Sequence, residues 1–451
     1  MSSSSRTDSS YQPDHLSNLP DALLIIILSF LPTRIAARTS FLSRRFRHLW
    51  KACPAVDLSA DRCTNIKIFE AMANSALSRD PSNPFLRLCL RLEPGFFRKL
   101  RERDSCLPSL LAKAHSLGLR HLTFDHCGIF DHTFDDLDPL TVSIICSIDS
   151  LQSLKLPTVP PQSLPSVVNL PCLKTLSLTF DIETTAEAYL SDSDSDSIHE
   201  DYSTDFNRFL SQISFLEDLN LRLNLNAGFT LSSQTIRKLE LFIDEIFDPD
   251  EFVNISMPSQ EMLRLEMLNI DCDRLPRIEV NMPSLRKADL KLRKVHEGDI
   301  GVVARLLNCV SRVEDLRLDI VEYLNVNYPF PVLLEPGKDV PYFPNLKHLD
   351  MNMCFHEHNF ESVLVLLRHS PALESLKVVY EAPDPKYLTL SEEGRVVRVD
   401  AVINYDHNCI RLRDLHLGQH GKDFMKLVRK RTKTIKRQEE ADLLKNLVFV
   451  L

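Results

Sequence analysis

One short apolar pattern recurs along most of the chain and limits the folds that the chain can adopt. The pattern has apolar residues at its first, fourth and sixth positions. Ten clear copies begin at Leu119, Leu151, Leu173, Leu216, Ile236, Leu265, Val313, Leu346, Leu373 and Leu412, and a weaker copy begins at Leu285. Because alternate residues of a strand point to the same face, the fourth and sixth positions are predicted to face one shared core. A single strand cannot cover its own apolar side, so the pattern predicts a stack of strands.

The segments between several copies have the apolar spacing of helices. These segments are residues 140–148, 205–213, 299–309 and 360–369. Residues 85–92 are predicted to be a degenerate first strand. The copies recur at a mean spacing of about 29 residues, which is typical of solenoid repeats. Strand, turn and helix at this spacing predict the α/β class, as an irregular solenoid with a curved parallel sheet on its concave side and helices on its convex side.

Residues 14–50 differ from the rest of the chain, because three short helices are predicted there. Pro20 and Asp21 favour a helix start, and the apolar run that follows has helical spacing until Pro32 stops it. A unit of this size seldom buries its own apolar surface well. Residues 25–27 are three isoleucines, which place apolar surface around nearly the whole first helix. Part of that surface is therefore expected to contact another protein.

At these residues the stretch resembles the F-box, in the plant form that precedes leucine-rich repeats. The matching pieces are Leu19-Pro20-Asp21, the run from Ile27 to Pro32, Arg38-Thr39-Ser40, the run from Leu42 to Arg45, and Leu49-Trp50. Phe46 stands where the family usually has Trp. The resemblance implies docking onto the small Skp-type adaptor of a cullin–RING ubiquitin ligase. The adaptor-binding residues that it implies are Leu19, Pro20, Leu24, Ile27, Leu28, Leu31 and Pro32. The alternative is a small helical core that packs on the following domain.

The recurring pattern resembles the leucine-rich-repeat signature without its usual Asn or Cys position. The segment after Leu412 resembles the FBD-type unit that often follows the repeats of plant F-box proteins, with a basic run at 422–437 in place of the usual acidic helix. The predicted layout is a disordered tail at 1–13, an F-box at 14–54, a leucine-rich-repeat solenoid at 55–411 with an acidic insert at about 183–204, and a C-terminal FBD-like cap at 412–451.

Two charged segments have a structural and a regulatory interpretation each. The acidic insert contains SDSDSDSIHED from Ser191, and we interpret it as a solvated loop, with phosphorylation at Ser191 and Ser193 as the alternative. The basic run is interpreted as a solvated helix face, with a nuclear import signal as the alternative.

Composition argues against several classes of function. The net charge of −9 argues against nucleic acid as a partner. The chain has 10 glycines and no GxGxxG or GxxxxGK motif, which argues against a nucleotide-binding enzyme with glycine loops. The one strongly apolar run, residues 22–31, is too short to span a bilayer, so no membrane partner is expected. Eleven scattered cysteines without a CxxC pair fit a reduced protein of the nucleus or cytoplasm.

No catalytic, cofactor-binding or metal-binding residues are predicted. Cys354, His356 and His358 are spaced to share one side of a strand, but a fourth ligand with family spacing is missing, so no metal site is assigned to them. The DHC run from Asp125 suggests a nucleophile and a base by adjacency. Adjacent residues of a strand point to opposite faces, so these groups are poorly placed to react. The chain is therefore expected to be a non-enzymatic protein.

Polar side chains at the fifth pattern position, and two residues further on, are predicted to point out of the concave sheet. The candidate target-binding residues are Glu240, Asp271, Asp289, Arg317, Asp319 and Asp350. Most of them are acidic, and clustered charge on a concave surface steers oppositely charged partners. The hypothesis is that they bind a basic segment of a protein target. The alternative is that exposed strand positions are polar for solubility.

The leading interpretation is a substrate-recognition subunit of a Skp–cullin–F-box ubiquitin ligase. Its F-box would hold the adaptor and, through it, the cullin and RING protein, while the repeats hold an unknown protein substrate. A small-molecule sensor of the same architecture is the first alternative, although the concave positions show only the isolated Arg222 and Arg317. A repeat scaffold outside ubiquitination is the second. The expected location is the nucleus, the cytoplasm or both.

Overall fold

The structure is a computed structural model of the 451-residue chain. It describes residues 15–16, 18–60, 66–80, 83, 85–92, 106–126, 137–159, 163–182, 203–225, 229–243, 254–256, 264–272, 277–279, 282–293, 300–320, 341–354, 366, 369–381, 399–404, 409–413 and 448–450. The chain forms two compact units, Met1–Pro157 and Thr158–Leu451, which we describe separately.

Three short helices open the first unit, as the sequence predicts. Pro20 precedes the first helix and Pro32 precedes the second, where the fixed φ of proline suits a helix start. The helices are α1 (Asp21–Ser29), α2 (Thr33–Arg38) and α3 (Phe46–Leu49), with 3₁₀ turns at Thr39–Phe41 and Trp50–Ala52.

Strands and helices then alternate through the rest of the first unit. They are β1 (Ala55–Ser59), α4 (Ile66–Leu77), β2 (Arg87–Leu92), α5 (Cys106–Ser116), β3 (His121–His126), α6 (Pro139–Ile145) and β4 (Ser153–Thr158). The strands pair in parallel in the order β1-β2-β3-β4. Asp138 caps α6, because its Oδ1 accepts a hydrogen bond from the Thr141 amide at 2.9 Å. The predicted strand at 85–92 and helix at 140–148 are confirmed within a few residues, whereas β1, α4 and α5 are additional elements.

The second unit is built on a parallel sheet of pattern copies. Its elements are β5 (Thr175–Ile182), α7 (Ser203–Ser211), β6 (Asp218–Leu225), β7 (Phe229–Thr230), β8 (Lys238–Ile243), β9 (Asn254–Ser256), β10 (Met267–Cys272), β11 (Arg277–Glu279), β12 (Lys287–Leu292), α8 (Ile300–Cys309), β13 (Asp315–Ile320), β14 (His348–Cys354), β15 (Ser375–Glu381), β16 (Val399–Asn404), β17 (Cys409–Arg413) and β18 (Val448–Val450). The strands β5, β6, β8, β10, β12, β13, β14 and β15 pair in parallel in that order.

The register of this sheet places equivalent pattern positions side by side. Leu219 pairs with Leu239, which pairs with Leu268, and the ladder continues with apolar residues through β14. These side chains are buried, whereas the residues between them are partly exposed. The predicted α/β class and its parallel repeat sheet, with one apolar face and one polar face, are therefore confirmed.

The structure differs from the predicted solenoid in the segments that return from one strand to the next. Helices α7 and α8 lie where residues 205–213 and 299–309 predict them. Between β6 and β12, however, the described return segments contain the short strands β7, β9 and β11, which form a parallel sheet of their own. Two of these repeats span only 20 residues, Leu216 to Ile236 and Leu265 to Leu285, which leaves too little chain for a strand, two turns and a helix.

The carboxyl end of the sheet is also different from a further parallel repeat. β16 runs antiparallel to β15, and β17 runs antiparallel to β16. Near the copy predicted from Leu412, the described strand is Cys409–Arg413, which pairs with β16. The predicted final apolar strand is β18, which is parallel to β17. The predicted domain boundaries stay predictions.

Candidate functional site

The start of α1 is fixed to the chain before α3 by one arginine. The Arg45 Nε donates a hydrogen bond to the Asp21 Oδ1 at 2.7 Å, and its Nη2 donates to the Leu19 carbonyl oxygen. A guanidinium bound to a carboxylate and a carbonyl at once has little freedom to rotate. This contact therefore fixes the first residues of α1 to the chain before α3.

Two of the residues that the F-box resemblance implies as adaptor contacts lie in the core of the helical unit. Leu24 and Leu28 are 1% and 3% exposed and pack with Ala36, Phe46 and Leu49. Their spacing of four residues gives α1 one buried stripe. In the described structure they support the outer surface from beneath, and a partner reaches them only if the core opens.

The exposed side chains of this unit are unusually apolar. Ile27 is 41% exposed, Leu31 is 37% exposed and Phe30 is 82% exposed. The large apolar side chains exposed here are Leu16, Leu23, Ile26, Ile27, Phe30, Leu31, Ile35, Phe41 and Leu42. We call this set the apolar surface. Soluble proteins rarely leave so many large apolar side chains together in water unless a partner covers them.

Several members of the apolar surface were missed at the sequence level. Leu23, Ile26 and Phe30 belong to the same apolar run as Ile27, so periodicity alone could not separate their outward side from the buried one. Phe41 and Leu42 lie between the predicted second and third helices, where an isolated apolar pair is a weak signal. Their exposure became visible only with the backbone in place.

The helical unit that carries the apolar surface is rich in positive charge. Residues 16–55 contain six arginine or lysine residues and a single acidic residue, Asp21, which is already paired with Arg45. Arg34 and Arg38 line a shallow cavity of about 340 Å³ together with Phe41, Trp50 and others. An apolar patch bordered by cations favours a partner whose own apolar groove is bordered by carboxylates.

The helical unit is tied to the first strand–helix repeat by partly buried hydrogen bonds. The Asp57 amide of β1 donates to the Thr33 Oγ1 of α2 at 2.7 Å. The Arg79 Nη1, after α4, donates to the Cys53 carbonyl oxygen at 2.7 Å, and its guanidinium lies 4.8 Å from the Phe85 ring centre. Burial raises the pKa of the Cys53 thiol to about 11, so this cysteine is a packing group and not a nucleophile.

The candidate target-binding residues lie on the polar face of the second unit, in two neighbouring rows. In the first row Glu240, Asn269, Asp289, Arg317 and Asp350 pair in consecutive register. In the second row the consecutive residues are Asp271, Lys291, Asp319 and Asn352. The six residues singled out from the sequence are therefore brought together on five adjacent strands, β8 to β14 in sheet order.

The acidic members of these rows are largely neutralised within the chain. The Glu240 carboxylate accepts from the Asn220 Nδ2 at 2.6 Å and the Asn269 Nδ2 at 3.3 Å, and it pairs with the Lys238 Nζ at 2.7 Å. Burial alone would raise the pKa of Glu240, but these three donors outweigh it and lower the pKa. Glu240 thus has few lone pairs left for a partner.

The carboxylates of Asp271 and Asp319 are similarly unavailable to a partner. The Asp271 Oδ2 is 2.7 Å from the Arg293 Nη2 and 3.7 Å from the Lys291 Nζ. Asp319 is 7% exposed, so it belongs to the interior edge of the face and not to its open surface. These placements favour a polar face with balanced charge over a bare acidic one.

Asp289 is the exception in the first row. Burial raises its pKa, and the neighbouring carboxylates of Asp350 and Asp271 act in the same direction, against Arg317 and Lys291. The Arg317 Nε lies 4.0 Å from the Asp289 Oδ1, which is a loose contact. Asp289 is therefore the position in the row where a cation from a partner would gain the most binding free energy.

A line of alternating charge runs along the edge of this sheet, one residue before each parallel strand. Its members, which we call the charged edge, are Lys174, Glu217, Arg237, Glu266, Arg286, Glu314, Lys347 and Glu374. Each backbone amide donates to the carbonyl oxygen of the preceding member at 2.7–2.9 Å, so the line is continuous. The Arg237 Nη2 lies 2.8 Å from the Glu266 Oε1, and the Lys347 Nζ lies 2.7 Å from the Glu314 Oε2. Aligning the pattern copies by sequence would have shown this alternation.

The structure also brings a serine, a histidine and an aspartate together at the start of β13 to β15. The His348 Nδ1 is 2.9 Å from the Ser375 Oγ, and its Nε2 is 3.8 Å from the Asp315 Oδ1. Asp315 is already held by the Lys287 Nζ at 2.8 Å, and the His348 side chain is half exposed. Hydrolytic catalysis needs donors that are oriented towards the developing oxyanion. These contacts are those of a polar cross-strand ladder.

Comparisons with known proteins give the family of the chain. Residues 16–55 match the F-box domain family. An F-box/FBD/LRR-repeat protein of Arabidopsis thaliana is 30% identical over 389 residues, which cover 80% of this chain and 76% of the relative. The chain belongs to the plant F-box/LRR-repeat family. An FBD-associated F-box protein of the same plant is 31% identical over 290 residues, covering 61% of this chain and 60% of the relative. Another Arabidopsis F-box/FBD/LRR-repeat protein is 28% identical over 81% of this chain and 80% of its own length.

Several predictions about this F-box/LRR-repeat protein fall outside the described residues. They concern the tail at 1–13, most of the acidic insert, the basic run at 422–437, the His356 and His358 pair, Cys127, and most of the helix at 360–369. Within the described ranges, no group of histidine, cysteine and acidic side chains is arranged to hold a metal ion. None of the helices in those ranges is long and apolar enough to cross a bilayer.

Proposed function

We propose that this protein is the non-catalytic substrate-recognition subunit of a Skp–cullin–F-box ubiquitin ligase. F-box domains in general bind Skp-type adaptors. The observation that carries the proposal is the apolar surface on residues that match the F-box, bordered by cations. An adaptor groove of apolar side chains edged by carboxylates would cover it and gain from both burial and charge.

The proposed adaptor contact consists of outward residues supported by a buried stripe. Leu19, Pro20, Ile27, Leu31 and Pro32 keep the role that the F-box resemblance implies. Leu23, Ile26 and Phe30 join them, because they are exposed on the same helix and the turn after it. Leu24 and Leu28 hold α1 in place from beneath.

The proposed mechanism is one of proximity. The adaptor brings the cullin and RING protein to the F-box, while the polar face of the repeats holds a protein target. Holding a target lysine near the charged ubiquitin carrier raises its effective concentration, so the chain itself needs no catalytic group. The hydrogen bonds from Asp57 and Arg79 keep the helical unit fixed on the first repeat. The nucleus and the cytoplasm remain the proposed locations.

Copurification with a Skp-type adaptor and a cullin tests the proposal. The intact chain is expected to capture both, and Leu19→Ala combined with Pro20→Ala is expected to lose both together. Capture of the adaptor without the cullin would instead favour a repeat scaffold outside ubiquitination. Retention of both partners by the double variant would place the interface elsewhere.

A separate variant tests the target surface. Asp289→Lys reverses charge at an accessible point of the first row, whereas reversal at the buried Asp319 would disturb the fold. If a basic segment of the target binds here, Asp289→Lys reduces target capture and leaves adaptor binding intact. Unchanged capture of proteins identified by proximity labelling would remove the basic-segment hypothesis.

A further inference from the structure

The charged edge of the second unit is complementary to itself. Its sign changes at every step, it begins with the cation Lys174, and it ends with the anion Glu374. The line has an even number of members. When such an alternating line is turned end to end, each position holds the charge opposite to the one it held before. Two copies of this edge laid antiparallel therefore place unlike charges opposite each other along the whole line.

We propose that the charged edge is the interface of an antiparallel dimer of this chain, with a two-fold axis between β10 and β12. Around that axis Glu266 of one copy faces Arg286 of the second copy, and Arg237 faces Glu314. Further out, Glu217 faces Lys347 and Lys174 faces Glu374. A two-fold interface uses the same patch twice, so every contact away from the axis occurs in two symmetric places.

The spacing of the charges matches without adjustment. Both edges belong to the same sheet type, in which neighbouring parallel strands lie about 4.8 Å apart, so the eight positions extend over about 34 Å in each copy. The side chains also have room to meet a second copy, because Lys174, Arg237, Glu266 and Lys347 are each between 44% and 63% exposed.

The next residue along the strands strengthens the alternation. Asp218 follows Glu217, Lys238 follows Arg237, Lys287 follows Arg286 and Asp315 follows Glu314, each with the same sign as the member before it. The charge is thus doubled at four of the eight positions. The alternation is also bounded, since Gln152 occupies the equivalent place before β4 and β16 runs antiparallel.

Two exposed aromatic residues supply an independent argument. Phe215 is 62% exposed in the turn that leads into β6, and Tyr342 is 57% exposed in the segment before the turn that leads into β14. These strands are second and seventh among the eight, and the proposed two-fold axis brings the second opposite the seventh. Phe215 stands three residues before β6 and Tyr342 six residues before β14. The arrangement therefore brings the segments that carry them together at both ends of the interface, where a contact between the two rings would be shielded from water.

The expected association is weak and sensitive to salt. Exposed ion pairs contribute little individually, and a narrow edge buries less area than a permanent dimer needs. Arg264 and Arg312 stand directly before the pattern starts Leu265 and Val313, as Phe215 stands directly before Leu216. These two arginines add positive charge that opposes tight docking. A transient dimer at micromolar concentration follows from these features, and its formation does not depend on the proposed ligase function.

Sedimentation of the full chain at low and high salt tests the proposal. In 0.05 M NaCl a monomer–dimer equilibrium is expected, and in 0.5 M NaCl its dissociation constant is expected to rise by at least about tenfold, because screening shortens the reach of exposed charges. Arg286→Glu places two carboxylates opposite each other on both sides of the axis and should abolish the dimer. Arg305→Glu, an equally exposed change on α8, should leave the dimer intact.

A rescue and an uncharged variant separate the dimer from simple misfolding. Glu266→Arg combined with Arg286→Glu restores unlike pairs across the axis and should recover the dimer, although it breaks the alternation within each copy. Phe215→Ser should weaken association by about tenfold without changing any charge. A chain that sediments as a monomer at both salt concentrations overturns the proposal. So does a dimer that survives Arg286→Glu in a folded variant, as judged by circular dichroism.

Discussion

At the scale of single residues, two carboxylates on the same row respond oppositely to their surroundings. Glu240 has a pKa held below its ordinary value by three donors, whereas burial raises the pKa of Asp289. Glu240 therefore stabilises the fold above the unfolded pKa of about 4.5, and that contribution is lost as the pH falls through the lower folded value. The pKa of Asp289 is shifted in the opposite direction, so the ionised Asp289 carboxylate lowers the free energy of unfolding at neutral pH.

Glu240→Gln and Asp289→Asn are matched changes that test this difference. At pH 7, Glu240→Gln should lower the free energy of unfolding by about 1 kcal/mol, because charge-assisted hydrogen bonds are weakened. The loss should shrink towards pH 3. Asp289→Asn should leave stability unchanged or raise it. Urea denaturation at both pH values measures the effect, and a larger loss from Asp289→Asn than from Glu240→Gln would contradict the assigned pKa directions.

Residue-level burial on α1 shows where sequence reasoning reaches its limit. The helical spacing, Pro20 and Pro32 were sufficient to predict α1 and its ends. They could not separate Leu24 and Leu28 from Ile27, because the run is apolar at nearly every position. Only the contacts with Phe46 and Leu49, which come from outside the helix, decide which side is buried.

At the scale of elements, α7 is held on its sheet by aromatic side chains. The ring of Phe206 lies 4.9 Å from that of Phe180 in an edge-to-face arrangement and 5.5 Å from that of Phe229. Phe206→Ala should therefore lower the free energy of unfolding by about 3–5 kcal/mol. The exposed Phe215 is the matched control. Phe215→Ala should change the free energy of unfolding by less than about 0.5 kcal/mol in high salt. Equal losses in urea denaturation would mean that α7 is not packed as described.

Element prediction succeeded where periodicity was long and failed where it was short. The pattern copies fix a buried side and a spacing, and both agree with the paired strands of the second unit. Strands β7, β9 and β11 have only two or three residues each, which is too few for an alternating signal. β1 lacks the full pattern, so its place beside β2 depends on tertiary pairing.

At the scale of the whole molecule, the polar face and the apolar surface have different origins in the sequence. The rows of the polar face follow from register, because equivalent pattern positions become neighbours. Their charge balance did not follow from the rows alone, since Lys238 and Arg293 lie outside the positions first considered. The apolar surface is the more specific feature, because no contact within the described part of the chain covers it.

The affinity of the purified full chain for a Skp-type adaptor tests the central claim most directly. Ile27→Asp combined with Phe30→Asp places two charges on the apolar surface without touching the buried stripe, and Leu140→Asp on α6 is an exposed control of the same kind. By calorimetry, the intact chain and the control should bind with similar affinity, and the double variant should bind at least about a hundredfold more weakly. An adaptor that does not bind the intact chain, or that binds the folded double variant equally well, would contradict the account.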